Sequence, residues 1–164
     1  MSNIQDMLNA NGNYASEFRY ASLKAKPLKK VAVLACMDAR LNIENILGLN
    51  TGEANIIRNA GGIATEDAIR SLIVSHHLLG TEKFIVINHT DCGMQKFTDE
   101  DIRNNLKQKL DTDPNQIRFH TFVNLEENVK EQVQKIKASP FLPQDIPVYG
   151  FVYNTQTGRL EKIA

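Results

Sequence analysis

Cysteine is scarce in this sequence, neither sign of charge is in excess, and no apolar run is long. Only two cysteines occur in 164 residues. That is too few for a disulfide framework, so the chain fits a reducing compartment and each thiol becomes a question of chemistry. Lysine and arginine total 19, as do aspartate and glutamate, and the formal net charge is zero. This balance argues against a nucleic-acid binder, or a membrane-surface protein working through a whole-domain positive field, and favours small or neutral partners. The longest apolar stretches, residues 31–36 and 84–87, fall far short of the roughly 20 residues that span a bilayer. The opening Ser2-Asn3-Ile4-Gln5-Asp6-Met7-Leu8-Asn9 has no basic segment, no apolar stretch and no small-residue cleavage site, so a cytoplasmic location is expected. Repeats and low-complexity tracts are missing too. What remains is one domain, residues 1–164, long enough to bury about 68–70% of its unfolded surface without disulfides, metal or a partner being obligatory.

The pattern of apolar residues predicts an α/β chain. Ser2 with Gln5 three residues later has the form of a capping box, and Ile4, Met7 and Leu8 share one helical face. Gly12 interrupts that face and Tyr14, Phe18 and Ala21 resume it, so residues 1–26 form a helical N-terminal arm that packs either on its own core or on a second subunit. After a basic linker, the continuous run Val31-Ala32-Val33-Leu34-Ala35-Cys36 has the character of a parallel strand covered on both faces. A short helix with Ile43, Ile46 and Leu47 stops near Gly48, and a second strand covers 54–58. Gly61-Gly62 leads to Thr65, an N-cap followed by Glu66 and Asp67, and to a helix with Ile69, Leu72, Ile73 and Leu79 inward that Gly80 closes. A third strand at 83–88 follows, then a helix starting at Thr98 and Asp101, an exposed loop over 111–116, and a helix marked by Leu125, Val129, Val133 and Ile136. Strands at 148–153 and 159–163, joined by Thr155-Gln156-Thr157-Gly158, make an antiparallel edge hairpin.

Both cysteines fall just past the carboxyl ends of predicted parallel strands, the edge at which α/β sheets bind ligands. If strands one and three are neighbours, Cys36-Met37-Asp38-Ala39-Arg40 and His89-Thr90-Asp91-Cys92-Gly93 meet there. Two cysteines and a histidine supply three ligands to a tetrahedral zinc and leave the fourth position open, the composition of a catalytic rather than a structural site. A lone free cysteine is more often core filler, and a lone histidine at a strand end more often a hydrogen-bonded structural group. The coincidence tips the balance: one cysteine has a histidine three residues before it, and the other has an acid and a base two and four residues after it. A redox pair is disfavoured, because that chemistry places both thiols in one Cys-x-x-Cys turn.

Taken in order, Cys36-Met37-Asp38-Ala39-Arg40, Arg58-Asn59-Ala60-Gly61-Gly62 and His89-Thr90-Asp91-Cys92-Gly93-Met94 resemble the three signature segments of the β-class carbonic anhydrases. The resemblance runs from about Val31 to the C-terminus, and the short chain is similar to the compact prokaryotic branch. It implies a mostly parallel sheet in the order 2-1-3-4 with strand 5 at the edge, flanked by helices, in a homodimer or homotetramer. It implies one zinc ion per subunit held by Cys36, His89 and Cys92, with Asp38 and Arg40 as the paired acid and base beside the fourth position. Asp38 is also the fourth ligand of a closed site, reached when it parts from Arg40. The implied activity is the reversible hydration of carbon dioxide to bicarbonate and a proton by a zinc-bound hydroxide. Two alternatives stand beside it: a catalytically lapsed zinc-binding protein of the same fold, and a hydrolase of a similar small molecule such as carbon disulfide, which relatives of this fold act on. The intact Asp38 and Arg40 favour an enzyme.

Charge arithmetic sharpens what that reading demands. Two thiolates and a neutral imidazole reduce the zinc centre to 2 − 2 = 0, so it acidifies water less than a zinc held by three imidazoles. Asp38 compensates by accepting a hydrogen bond that orients the hydroxide, and Arg40 keeps the carboxylate ionised with a bidentate geometry that lysine lacks. Gly61 and Gly62 are candidate substrate-binding residues, whose N–H groups suit a developing bicarbonate oxygen; the alternative is ordinary turn chemistry at positive φ. Arg58 and Asn59 read as props holding that turn against the neighbouring loop, and Asp91 as a turn former in preference to a group orienting His89. His76, His77 and His120 sit in no motif and read as structural or surface residues, which leaves proton release to buffer. With no tryptophan in the chain, the Trp-containing non-catalytic bicarbonate pocket of some family members cannot be present in that form.

Overall fold

A computed structural model describes residues 3–110 and 113–164. Five strands, β1 (Val31–Cys36), β2 (Ala54–Asn59), β3 (Lys83–His89), β4 (Val148–Tyr153) and β5 (Leu160–Lys162), form one sheet in the order β2-β1-β3-β4-β5. The first four run parallel and β5 pairs antiparallel with β4. This is the α/β architecture and edge hairpin expected from the sequence, in the strand order that the family resemblance implies. The helices are α1 (Ile4–Ser16), α2 (Ile43–Leu47), α3 (Glu66–His77), α4 (Asp99–Leu110) and α5 (Leu125–Lys137). Among the described residues, no helix is long and apolar enough to cross a membrane.

Burial explains the strands. Every residue of β1 is buried, as a central parallel strand requires, and its alternate side chains feed two cores. Ala32 and Leu34, with Phe84 and Val86 of β3, pack beneath α3 and α5 against Ala68, Leu72, Val133 and Ile136. Val31, Val33, Ala35 and Ile87 face the other way, against Leu41 and Ile43 beside the short α2. This second face is covered incompletely, since Ile56, Ile85, Phe151, Tyr153 and Leu160 are only partly buried. Side-chain caps begin the helices where the sequence placed polar residues: Asn42 accepts from Asn45 N–H, Thr65 from Ala68 N–H and Asn124 from Glu127 N–H.

Several boundaries differ from expectation. The capping box of α1 is made by Asn3 and Asp6, one residue later than Ser2 and Gln5; Ser2 lies outside the described residues. The helix also runs through Gly12 unbroken, because a mid-helix glycine costs only about 1 kcal/mol relative to alanine. Helix α3 stops at His77 rather than at Gly80, and its C-cap is Leu78. Gly80 still adopts a left-handed φ of 75° and returns its N–H to His76 O. In the predicted loop at 111–116, Asp111 and Thr112 lie outside the described residues, and Pro114 is buried while its neighbours Asp113, Asn115 and Gln116 are exposed.

The long connection from α4 to α5 is tied down by one carboxylate. Asp99 accepts hydrogen bonds from Phe119 N–H (2.9 Å), Thr121 N–H (2.9 Å) and Thr121 Oγ1–H (2.7 Å), beside His120 with its left-handed φ of 60°. Burial pushes the Asp99 carboxyl up, but these donors outweigh it and hold the group down at about 2. A depressed acid stabilises the fold above its unfolded value and loses that contribution as pH falls through the folded one. Asp99→Ala is therefore expected to lower unfolding free energy by about 1–3 kcal/mol at neutral pH, with the difference from wild type shrinking below about pH 4; urea titrations across pH check it.

Candidate metal centre

Parallel pairing of β1 with β3, in the register Ala35↔Ile87, brings the two cysteine loops side by side. Cys36 ends β1, His89 ends β3, and Cys92 follows after a two-residue turn whose Asp91 takes a left-handed φ of 56°. All three are buried, and their ligand atoms lie within 4.8 Å of one another. Tetrahedral zinc would separate such atoms by roughly 3.5–3.8 Å, given metal bonds of about 2.0–2.3 Å, so the cluster is of the right size. His89 Nδ1 lies 2.9 Å from Thr90 O, a contact that assigns Nδ1 the proton and leaves Nε2 a lone pair. That Nε2 is a buried atom without a hydrogen-bond partner. An orphaned imidazole nitrogen facing two thiols fits a cation and little else.

The Cys36 thiol is lowered to about 4, chiefly because it accepts a hydrogen bond from Cys92, and further by His89 and by the backbone N–H groups of Asp38 and Gly61; burial opposes this. Cys92, the donor, is pushed upward by the same bond and by burial. Burial pulls the His89 imidazole down, but the neighbouring Cys36 sulfur and the bond to Thr90 O raise it overall.

Asp38 and Arg40 sit together as the sequence predicted. Arg40 donates through Nε to Asp38 Oδ1 (2.9 Å) and through its terminal nitrogen to Asp38 Oδ2 (2.8 Å), the bidentate fork, and its backbone N–H adds a third bond at 2.9 Å. The Arg40 guanidinium holds the Asp38 carboxyl well below the usual carboxylate range. Asp38 Oδ2 also lies 3.7 Å from His89 Nε2, which puts the carboxylate at the mouth of the cluster.

Arg58 and Asn59 act as props. Arg58 donates to Cys36 O (3.0 Å) and Asp38 O (2.6 Å), fixing the cysteine loop, while the Asn59 amide closes on both the N–H and the carbonyl of Ile63. Gly61 and Gly62 are buried, with φ of 81° and 63°. A Cβ on Gly62 would stand 2.9 Å from Cys36 N and 2.8 Å from Asn88 Nδ2, so only glycine permits this approach. His76 and His77 bond to Thr81 O and Phe141 O, away from the cluster.

Two features escaped the sequence reading. Asp91 is more than a turn former: it ion-pairs with Arg40 (2.9 Å) and Lys96 (2.6 Å), so Arg40 is gripped by two carboxylates. Nothing in the local pattern marks that pairing. The second is a chain of buried amides, Asn88, Asn128 and Gln132, leading to the glycine turn. Asn128 and Gln132 lie four residues apart on the apolar stripe of α5, a signal a helical projection contains.

Fold and cluster together define an α/β protein with a cation-sized Cys₂His site at the carboxyl edge of a parallel sheet, flanked by an aspartate–arginine pair. Comparison with known proteins gives that class a family. Residues 31–160 match the family model described as carbonic anhydrase. "Beta-carbonic anhydrase 1" of Mycobacterium tuberculosis is 39% identical over 163 residues, 99% of each chain. A crystal structure of carbonic anhydrase from Streptococcus mutans aligns with a TM-score of 0.95 at 41% identity, covering 100% of this chain and 99% of that one. A carbon disulfide hydrolase of Acidianus is 33% identical over 157 residues, 82% of this chain and 77% of that protein. The chain belongs to the β-carbonic anhydrase family.

The glycine turn yields a direct test. Gly158 also has a positive φ, of 71°, but space around it. Gly158→Ala is expected to lose about 1–2 kcal/mol from the left-handed backbone alone, and Gly62→Ala a further 1–3 kcal/mol from collision with the β1 backbone. Equal losses in chemical denaturation would show that the turn is free to move.

Proposed function

We propose that this protein is a zinc enzyme that hydrates carbon dioxide reversibly to bicarbonate and a proton. The observation that carries the reading is the partnerless His89 Nε2, buried against Cys36 and Cys92, with the Asp38 carboxylate 3.7 Å away and locked to Arg40. A structural zinc site needs no such carboxylate, and an ion pair placed elsewhere on the surface would contribute little. Zinc held by Cys36, His89 and Cys92 supplies a Lewis acid that makes a water molecule nucleophilic near neutral pH. Asp38 would accept a hydrogen bond from that water and aim its lone pair. Arg40, gripped by Asp91 as well, keeps Asp38 ionised and oriented at the mouth of the cluster. The wall formed by Gly61 and Gly62 is the candidate substrate surface, excluding water around an apolar substrate.

Metal analysis and stopped-flow hydration test this. One zinc per chain and hydration above background are expected in wild type, with Asp38→Ala keeping zinc and losing at least about 10-fold in rate, and Cys92→Ser losing zinc. Zinc without hydration would overturn the activity, and full zinc in Cys92→Ser would overturn the ligand set. Because Asp38 stays ionised and Arg40, raised by Asp38 and Asp91, stays protonated, neither titrates in the working range; activity is expected to rise toward alkaline pH as the water ionises. The similarity to carbon disulfide hydrolases makes that compound the second substrate to assay, and faster turnover of it would reassign the activity.

The same reading includes a homodimer. Helix α1 has no buried residue, and Ile4, Met7, Leu8, Tyr14 and Phe18 are exposed along the arm. The second sheet face is also left partly open. Light scattering is expected to give at least a dimer for the full chain and a smaller species after deletion of residues 1–16; a monomeric full chain would refute it.

A further inference from the structure

The buried amides noted above form one continuous chain of hydrogen bonds. Gln132 accepts from Ala64 N–H (3.0 Å) and donates to Asn128 Oδ1 (2.8 Å). Asn128 donates to Asn88 Oδ1 (2.9 Å), and Asn88 donates to Gly61 O (2.6 Å). All three side chains are at most 4% exposed, and the chain starts and ends on the same segment, residues 61–64. Buried amides are costly unless satisfied, and a satisfied network has one low-energy arrangement. This one clamps the turn at two points from the α5 side, while Asn59 clamps it from within.

The clamp bears on the metal cluster. Asn88 precedes His89 in β3 and, by strand alternation, projects to the opposite face. Its amide lies where a Gly62 Cβ would meet both it and Cys36 N. The carbonyl it holds belongs to Gly61, the residue next to that close approach. A turn packed this tightly on the backbone of Cys36 leaves the cysteine little room to shift.

We propose that Asn88, Asn128 and Gln132 are positioning residues for the metal centre: they hold the Gly61–Gly62 turn against the backbone of Cys36 and thereby fix where that ligand stands relative to His89 and Cys92. This deepens the zinc reading of Cys36, His89 and Cys92 and rests on it. The three residues touch neither metal nor substrate.

Cobalt(II) in place of zinc reports the arrangement of its thiolate ligands through the charge-transfer bands. Asn88→Leu and the more distant, volume-matched Gln132→Met are expected to bind one cobalt per chain, with those bands displaced from their wild-type positions. Metal release to a chelator should be about 10-fold faster, and kcat/KM for carbon dioxide should fall about 10-fold in the zinc forms. Ser75→Ala serves as control, removing the hydrogen bonds of another buried side chain, to Asn55 and Thr81; it should lower Tm and leave the cobalt spectrum unchanged. If Gln132→Met also lowers Tm but keeps the wild-type spectrum and release rate, the amides are merely structural and the proposal fails. Wild type that binds cobalt but hydrates no carbon dioxide overturns the proposed activity alone; wild type that binds no cobalt overturns both.

Discussion

The parallel pairing of β1 and β3 is the constraint on which the rest depends. Parallel strands end at the same edge, so two loops separated by more than 50 residues of sequence deliver Cys36, His89 and Cys92 to one point. An antiparallel pairing would put the two loops at opposite edges. Everything added around the site, from the Arg58 prop to the glycine turn, serves to hold those strand ends in their places.

Electrostatics then divides the site into two compartments. Inside, the three buried ligand atoms include a nitrogen without a hydrogen-bond partner, an arrangement that a divalent cation relieves. Outside, Asp38, Arg40, Asp91 and Lys96 alternate in sign along a single ladder at the rim. Isolated surface pairs are weak, but an arginine held bidentate by one carboxylate and gripped by a second has few alternative rotamers. The ladder therefore gives orientation more than stability, and it orients the one carboxylate that faces the cluster.

Most of the frame was legible in the sequence because β1 and β3 are continuous apolar runs and because capping residues stand where helices begin. The cluster was legible for a different reason: rare residue types recur at matching strand ends, and three segments resemble a known family. The errors share a cause. Gly12 and Gly80 were read by local propensity, and the surrounding helix and turn overrode it. Asp91 was read by its neighbours in sequence, whereas its partner Arg40 is 51 positions away. The place of Asn128 and Gln132 on the apolar stripe of α5 was readable in a helical projection, but their bonds to Asn88 and to the glycine turn exist only once α5 packs on β3.

The amide chain also bears on how this sequence is free to drift. Each member satisfies a neighbour that has no access to water, so replacing one leaves another donor or acceptor orphaned. Replacing all with apolar residues of matching volume leaves only the backbone groups of residues 61–64 to satisfy. Tolerance at each of these positions is thus contingent on the other two, and homologous chains should carry them as a block, inherited or exchanged together, while the exposed helix residues between Asn128 and Gln132 vary one at a time.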